Sequence, residues 1–201
     1  MVQADNETLM AVVIGAVLAT AGGFAASQLE AVLRKRERER NAALLFGEIL
    51  SMLRLIMRIA DQSRQRGDPY GPVTLRFLRA ARRETEIYDR NRETLFDLRD
   101  ATLRARIHTL VARITFSLDG VADTSAEIAA LQARDALPDA ESRLEALKAD
   151  RHAAFDFVIE TTEQIEPLLA MLAPLAKHAF DAHDTVARQA QPAPDPQTTS
   201  A

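Results

Sequence analysis

Four histidines are the first candidates for chemistry: His108, His152, His178 and His183. Metal pairs on a helix use i,i+4 spacing or a Glu-x-x-His arrangement, so that both ligands leave one face. The closest two here, His178 and His183, are five apart. A helix would turn their rings to different faces. Glu160, Glu163 and Glu166 recur every three residues and form an acidic edge. Paired carboxylates do acid–base work when a pocket perturbs them, but an exposed helical edge is solvated. There is no Gly-rich phosphate loop, nucleophile elbow or dinucleotide fingerprint. The absence of cysteine excludes disulfides and thiolate metal sites. These observations predict a protein that is not an enzyme and holds no metal or cofactor.

Arginine supplies most of the positive charge, and its distribution is uneven. Residues 34–113 carry 19 Lys/Arg against 11 Asp/Glu, whereas residues 114–201 carry 6 against 15. Either the basic part faces anionic lipid, or it packs antiparallel on the acidic part. Arg76, Arg79 and Arg83 line up on one helical edge. No aromatic residues interleave with them for base stacking, so a solvated face is expected and no nucleic-acid partner.

The segment that positions everything else is an uncharged run over residues 8–29. About 20 apolar residues span a bilayer core as a helix. The basic cluster Arg34, Lys35, Arg36, Arg38 and Arg40 follows it, and cations favour the cytoplasmic side. No Lys or Arg precedes the run, whereas a cleaved secretory signal has a positive n-region. The expectation is an uncleaved signal-anchor: residues 1–7 outside, 8–29 transmembrane, 30–43 a basic juxtamembrane stalk, 44–188 a cytoplasmic helical bundle, and 189–201 a disordered tail. Within the anchor, Ala11, Gly15, Ala19, Gly23 and Ser27 recur every four residues. Such a row lets two helices approach closely in lipid, which predicts helix–helix contact and a homo-oligomer. The five stalk cations are expected at lipid headgroups, at on the order of 1 kcal/mol each.

The fold class is all-α. Helix formers dominate, and no segment shows sustained period-two alternation. The anchor is expected to run on into a cytoplasmic helix over about residues 6–66, which the Gly- and Pro-rich stretch 67–72 ends. Gly47 is expected only to weaken that helix. A second helix is predicted from Val73 to about Phe96, with a narrow apolar face. A third begins near Asp100, with Leu103, Ile107, Leu110, Ile114, Leu118 and Val121 forming a seam at bundle spacing. A fourth opens at Leu137-Pro138-Asp139 and is expected to kink at Pro167 and Pro174. The apolar stretch 168–176 is too short to span a membrane and is expected to pack in the core. The architecture is then roughly a four-helix bundle.

Glu48-Ile49, followed by Tyr88, Asn91, Leu95 and Leu98, gives a pattern of Tyr-x-x-Asn-x-x-x-Leu-x-x-Leu after a charged juxtamembrane helix. In this order of elements, over about residues 8–121, the chain resembles uncharacterised bacterial single-pass inner-membrane proteins with an N-terminal anchor and a helical cytoplasmic domain. Where those proteins often carry Tyr in the following helix, this chain has Phe116. The resemblance implies that Tyr88 packs inside and that Asn91 marks a bend. It implies no activity. The function expected is an anchored helical scaffold or assembly subunit in the bacterial inner membrane, with membrane lipid and an unidentified protein as partners. A membrane-permeabilising protein and a signalling subunit acting along the first helix are the alternatives.

Overall fold

The computed structural model of the chain describes residues 2–67, 69–133 and 140–180; in the first helix side chains are described at residues 18, 20 and from 22 onward. Every described element is helical. The first helix, α1, is Val2–Arg66 and runs for 65 residues without a break. At 1.5 Å per residue it is about 98 Å long. Its length follows from composition: Ala, Leu, Arg and Glu fill it, and the first proline in the chain is Pro69.

A short turn leads to α2, Pro72–Arg90, with proline in its first turn, where no amide proton is needed. Thr74 Oγ1 donates to Ser63 Oγ at 3.1 Å and closes the hairpin. The side chain of Asn91 donates to the Ile87 carbonyl at 2.8 Å and marks the end of α2. The expected helix to Phe96 therefore stops six residues early. A 3-10 turn, Arg92–Asp97, takes its place. Asp100 then starts α3, Ala101–Gln132, by accepting from the amides of Thr102 at 2.8 Å and Leu103 at 3.1 Å.

The last column is made of two helices, α4, Ala140–Glu163, and α5, Ile165–Ala176. At the predicted kink, α4 and α5 are separated by a single residue, Gln164, whose backbone stays right-handed helical. The Pro167 nitrogen cannot donate to the Glu163 carbonyl and its ring crowds that group, which interrupts the hydrogen-bond ladder there. Pro174 lies inside α5, which continues through it.

Pairwise contacts fix an up-down-up-down order. Phe46 on α1 meets Tyr88 on α2, with ring centroids 5.7 Å apart. Arg82 on α2 reaches Asp119 on α3 at 2.6 Å. Arg113 on α3 lies over the Phe157 ring of α4 at 4.8 Å. Arg64 pairs with Asp156, Arg54 with Glu166, and Arg40 with the end of α5, running down α1 as α4 and α5 run up. This is the arrangement of a four-helix bundle with short connections.

The core begins at Ala42 and Ala43, two residues before the expected boundary. All six seam residues predicted for α3 are buried, as are Tyr88 and Leu168, Leu169, Leu172 and Ala176. The bundle thus has two ends. One holds the α1–α2 turn. The other, here called the stalk end, holds residue 42 of α1, the 3-10 turn and the end of α5.

Candidate functional site

The histidines do not converge. His108 Nδ1 is 3.0 Å from the Tyr88 hydroxyl, and His152 Nδ1 is 3.0 Å from the Tyr70 hydroxyl. His178 stacks edge-on with Phe180, and His183 lies outside the described residues. Among the described residues no group of three or more His, Asp or Glu side chains is placed to hold a metal. Glu160 and Glu163 are exposed, and Glu166 pairs with Arg54. Arg76, Arg79 and Arg83 are exposed on the outer face of α2.

A denser polar cluster sits at the turn end. The Arg151 guanidinium lies 3.7 Å over the Tyr70 ring, and Phe155 meets that ring edge-on. His152 Nε2 is 3.5 Å from Asp156, which also binds Arg64. Burial pushes the Tyr70 phenol above its ordinary pKa, against the pull of Arg151 and Arg64. All these partners belong to α1, α4 and the turn itself, so the cluster clamps the α1–α2 hairpin onto α4.

The stalk end differs. Leu18, Phe24, Leu29, Val32 and Leu33 on α1 are all exposed, with Leu18 67% and Phe24 66% accessible. No other described element covers them. Immediately beyond them come the stalk cations. Arg34 pairs with Glu30 at 3.3 Å in the i,i+4 order. Lys35, Arg36 and Arg38 have no hydrogen-bond or ion-pair partner among the described residues. Arg40 is exposed, and its Nε donates to the Ala176 carbonyl at 3.3 Å, tying α1 to the end of α5.

Part of the charge asymmetry is matched across the bundle. Arg54–Glu166, Arg64–Asp156 and Arg82–Asp119 each join a cation of the basic half to a carboxylate of the acidic half. Exposed cations remain on the stalk and on the outer face of α2. A cleft of about 710 Å³ opens there between α1 and the α2–α3 connection. Arg34, Lys35 and Arg38 line one wall; Phe96, Arg99 and Arg104 line the other, with Asp97 as the one carboxylate. Arg99 is held by Glu39, through its amide at 3.2 Å and its Nε at 3.1 Å. Arg104 donates to the carbonyls of Leu98 at 2.6 Å and Arg99 at 3.2 Å. Phe96 stands 78% exposed on the rim.

Sequence reasoning found one wall of this cleft and missed the other. The signal was present in Asp100. As the start of α3 it forces residues 91–99 to be a connector, and the alternation of helix direction returns that connector to the stalk. A second open groove, about 660 Å³, lies between α3 and α4, with Phe116 81% exposed and Phe157 beside it.

Of the predicted contact row, Gly23 and Ser27 are exposed, and Ser27 Oγ donates to the Phe24 carbonyl at 2.9 Å. Ala11, Gly15 and Ala19 lie where the backbone is helical but side chains are outside the described residues. Among the described residues no helix is long and apolar enough to cross a membrane. The side chains of most of the 8–29 run fall outside that description. No protein family, characterised protein or solved structure matches the chain.

Proposed function

We propose that the chain is a membrane-anchored helical scaffold or assembly subunit that presents its bundle to a protein partner and self-associates through the anchor. One observation carries the reading. Among the described residues, the apolar side chains of α1 from Leu18 to Leu33 have no protein cover, cations without a partner follow them, and the core starts only at Ala42. A helix of that composition loses on the order of 25 cal/mol for each Å² of apolar surface left in water. Lipid removes that cost, and the basic flank fixes the bundle on the cytoplasmic side.

The α3–α4 groove supports partner binding. Phe116 stands 81% exposed there, beside Phe157, which carries Arg113 over its ring and is 38% exposed. Such anchors dominate association when a partner covers them. Co-purification of the full chain from native membranes in mild detergent tests this reading. The expected result is a protein retained by the wild type and lost by Phe116→Asp. A chain that appears in the aqueous fraction without detergent, or that retains the same proteins in both forms, overturns it.

A signalling role is favoured by the continuity of α1 from the uncovered face into the core. Arg36→Pro interrupts α1 before anything packs on it. Uncoupling of the two ends with the bundle intact supports transmission; full function of this variant counts against it.

A further inference from the structure

We propose that the stalk-end cleft binds the phosphate headgroup of an anionic phospholipid, a site that rests on the anchored reading above. The cleft brings five cations to Asp97; Arg34 is paired with Glu30 and Arg99 with Glu39, which leaves Lys35, Arg38 and Arg104 without a carboxylate of their own. Arg99 is fixed by Glu39 and Arg104 by neutral backbone carbonyls, so that wall is rigid and Arg104 keeps its charge. Lys35 and Arg38 face it with no partner of their own. A phosphodiester supplies what is missing: two acceptor oxygens and a charge for a planar guanidinium and an ammonium.

Depth favours lipid over a free phosphate. Residues 31–38 follow the uncharged run within nine residues of Leu29. That places them about 3–14 Å along the helix from the run's end. The headgroup layer is about 5–8 Å thick on each side of the hydrocarbon core. Long Lys and Arg side chains reach back across the difference. Phe96 on the rim gives the second argument. It is 78% exposed. A soluble anion would leave it in water, whereas a lipid whose headgroup fills the cleft brings its acyl region to it, the usual seat of an interfacial Phe.

The test uses the full chain in mild nonionic detergent, titrated with phosphatidylglycerol, phosphatidylcholine or inorganic phosphate and read by native mass spectrometry. Phosphatidylglycerol is expected to bind at least about ten-fold more tightly than phosphatidylcholine. Each surface cation is worth roughly five-fold, so Lys35→Gln with Arg38→Gln should weaken phosphatidylglycerol on the order of 30-fold. Neither side chain is buried or bonded, and unchanged circular dichroism checks that the fold survives. Arg36→Gln with Arg76→Gln removes the same charge outside the cleft and should change binding less than about two-fold. Phe96→Ser should weaken phosphatidylglycerol further. Equal binding of the two lipids, equal loss in the control pair, or displacement of phosphatidylglycerol by an equal concentration of inorganic phosphate overturns the proposal. A chain that dissolves without detergent refutes the anchor itself. One that needs detergent yet shows no preference refutes the cleft alone.

Discussion

Gly47 shows how much a single position can conceal. In sequence it reads as a weak point in a helix, costing about 0.5–1 kcal/mol relative to alanine. In the fold it is buried, and the Phe180 ring lies where its Cβ would be. Phe180 is itself buried, and it pins the segment after α5 to α1. Gly47→Ala should therefore destabilise by about 1–3 kcal/mol, although alanine favours helix. In a Phe180→Ala background the same change should cost nothing or stabilise, and denaturant unfolding of the four proteins reads this coupling. Additive effects would show that the ring does not occupy that place.

Tyr88 sets a pH dependence at the same scale. It is 1% exposed, packs on Phe46, and bonds His108. Burial pushes its phenol up to about 12 from an ordinary 10.0. The folded state thus holds its proton where the unfolded state has lost it. The stabilisation from the neutral phenol is complete below pH 10 and lost as pH rises towards about 12. Unfolding free energy should fall across that window, and Tyr88→Phe should remove most of the fall. A wild-type curve flat through the window would contradict the burial argument.

Elements were the most legible scale. The α3 seam is a periodic statement, and burial of Leu103, Ile107, Leu110, Ile114, Leu118 and Val121 follows from spacing alone. The burial of Tyr88 and the stop at Asn91 were implied only by the resemblance, whereas spacing carried the second helix on to Phe96. Spacing within one helix cannot say which residue of another comes opposite. The Phe180–Gly47 contact, the Arg40–Ala176 tie and the far wall of the stalk cleft depend on such pairings and went unread. The 3-10 turn was missed because Leu95 and Phe96 continue an apolar pattern that only capping interrupts. Ile107 is fully buried in the seam and Arg79 is exposed on α2. Ile107→Ala should cost about 2–5 kcal/mol, and Arg79→Ala less than about 0.5 kcal/mol, by the same unfolding measurement. Similar values for both would place α3 outside the core.

The whole molecule is an asymmetric object. Its bundle pairs three cations of the basic half, Arg54, Arg64 and Arg82, with carboxylates of the acidic half. Each pair keeps a solvent-exposed partner and contributes about 0–1 kcal/mol, so the bundle's stability rests on its apolar seam. At the stalk end the balance is broken twice, by uncovered apolar residues and by unpaired cations. On the proposed anchored reading these are two adjacent solvents' requirements on one helix, hydrocarbon first and headgroups next. The uncharged run over residues 8–29 and the cations after it were visible in the sequence. The exposed aromatics of the bundle were not, because Phe116 and Phe96 look like ordinary core formers in sequence and stand exposed in the fold.

The central claim is that the uncovered start of α1 lies in lipid with the bundle on the inner side. Single cysteines can be introduced freely, since the chain has none. Sealed spheroplasts carrying Asn6→Cys or Ser142→Cys are treated with a membrane-impermeant maleimide, then lysed and treated again. The account predicts labelling at position 6 before lysis and at position 142 only after it, with the protein remaining in the membrane pellet at alkaline pH. Labelling of position 142 in sealed cells, or release of the chain by alkali, would contradict it.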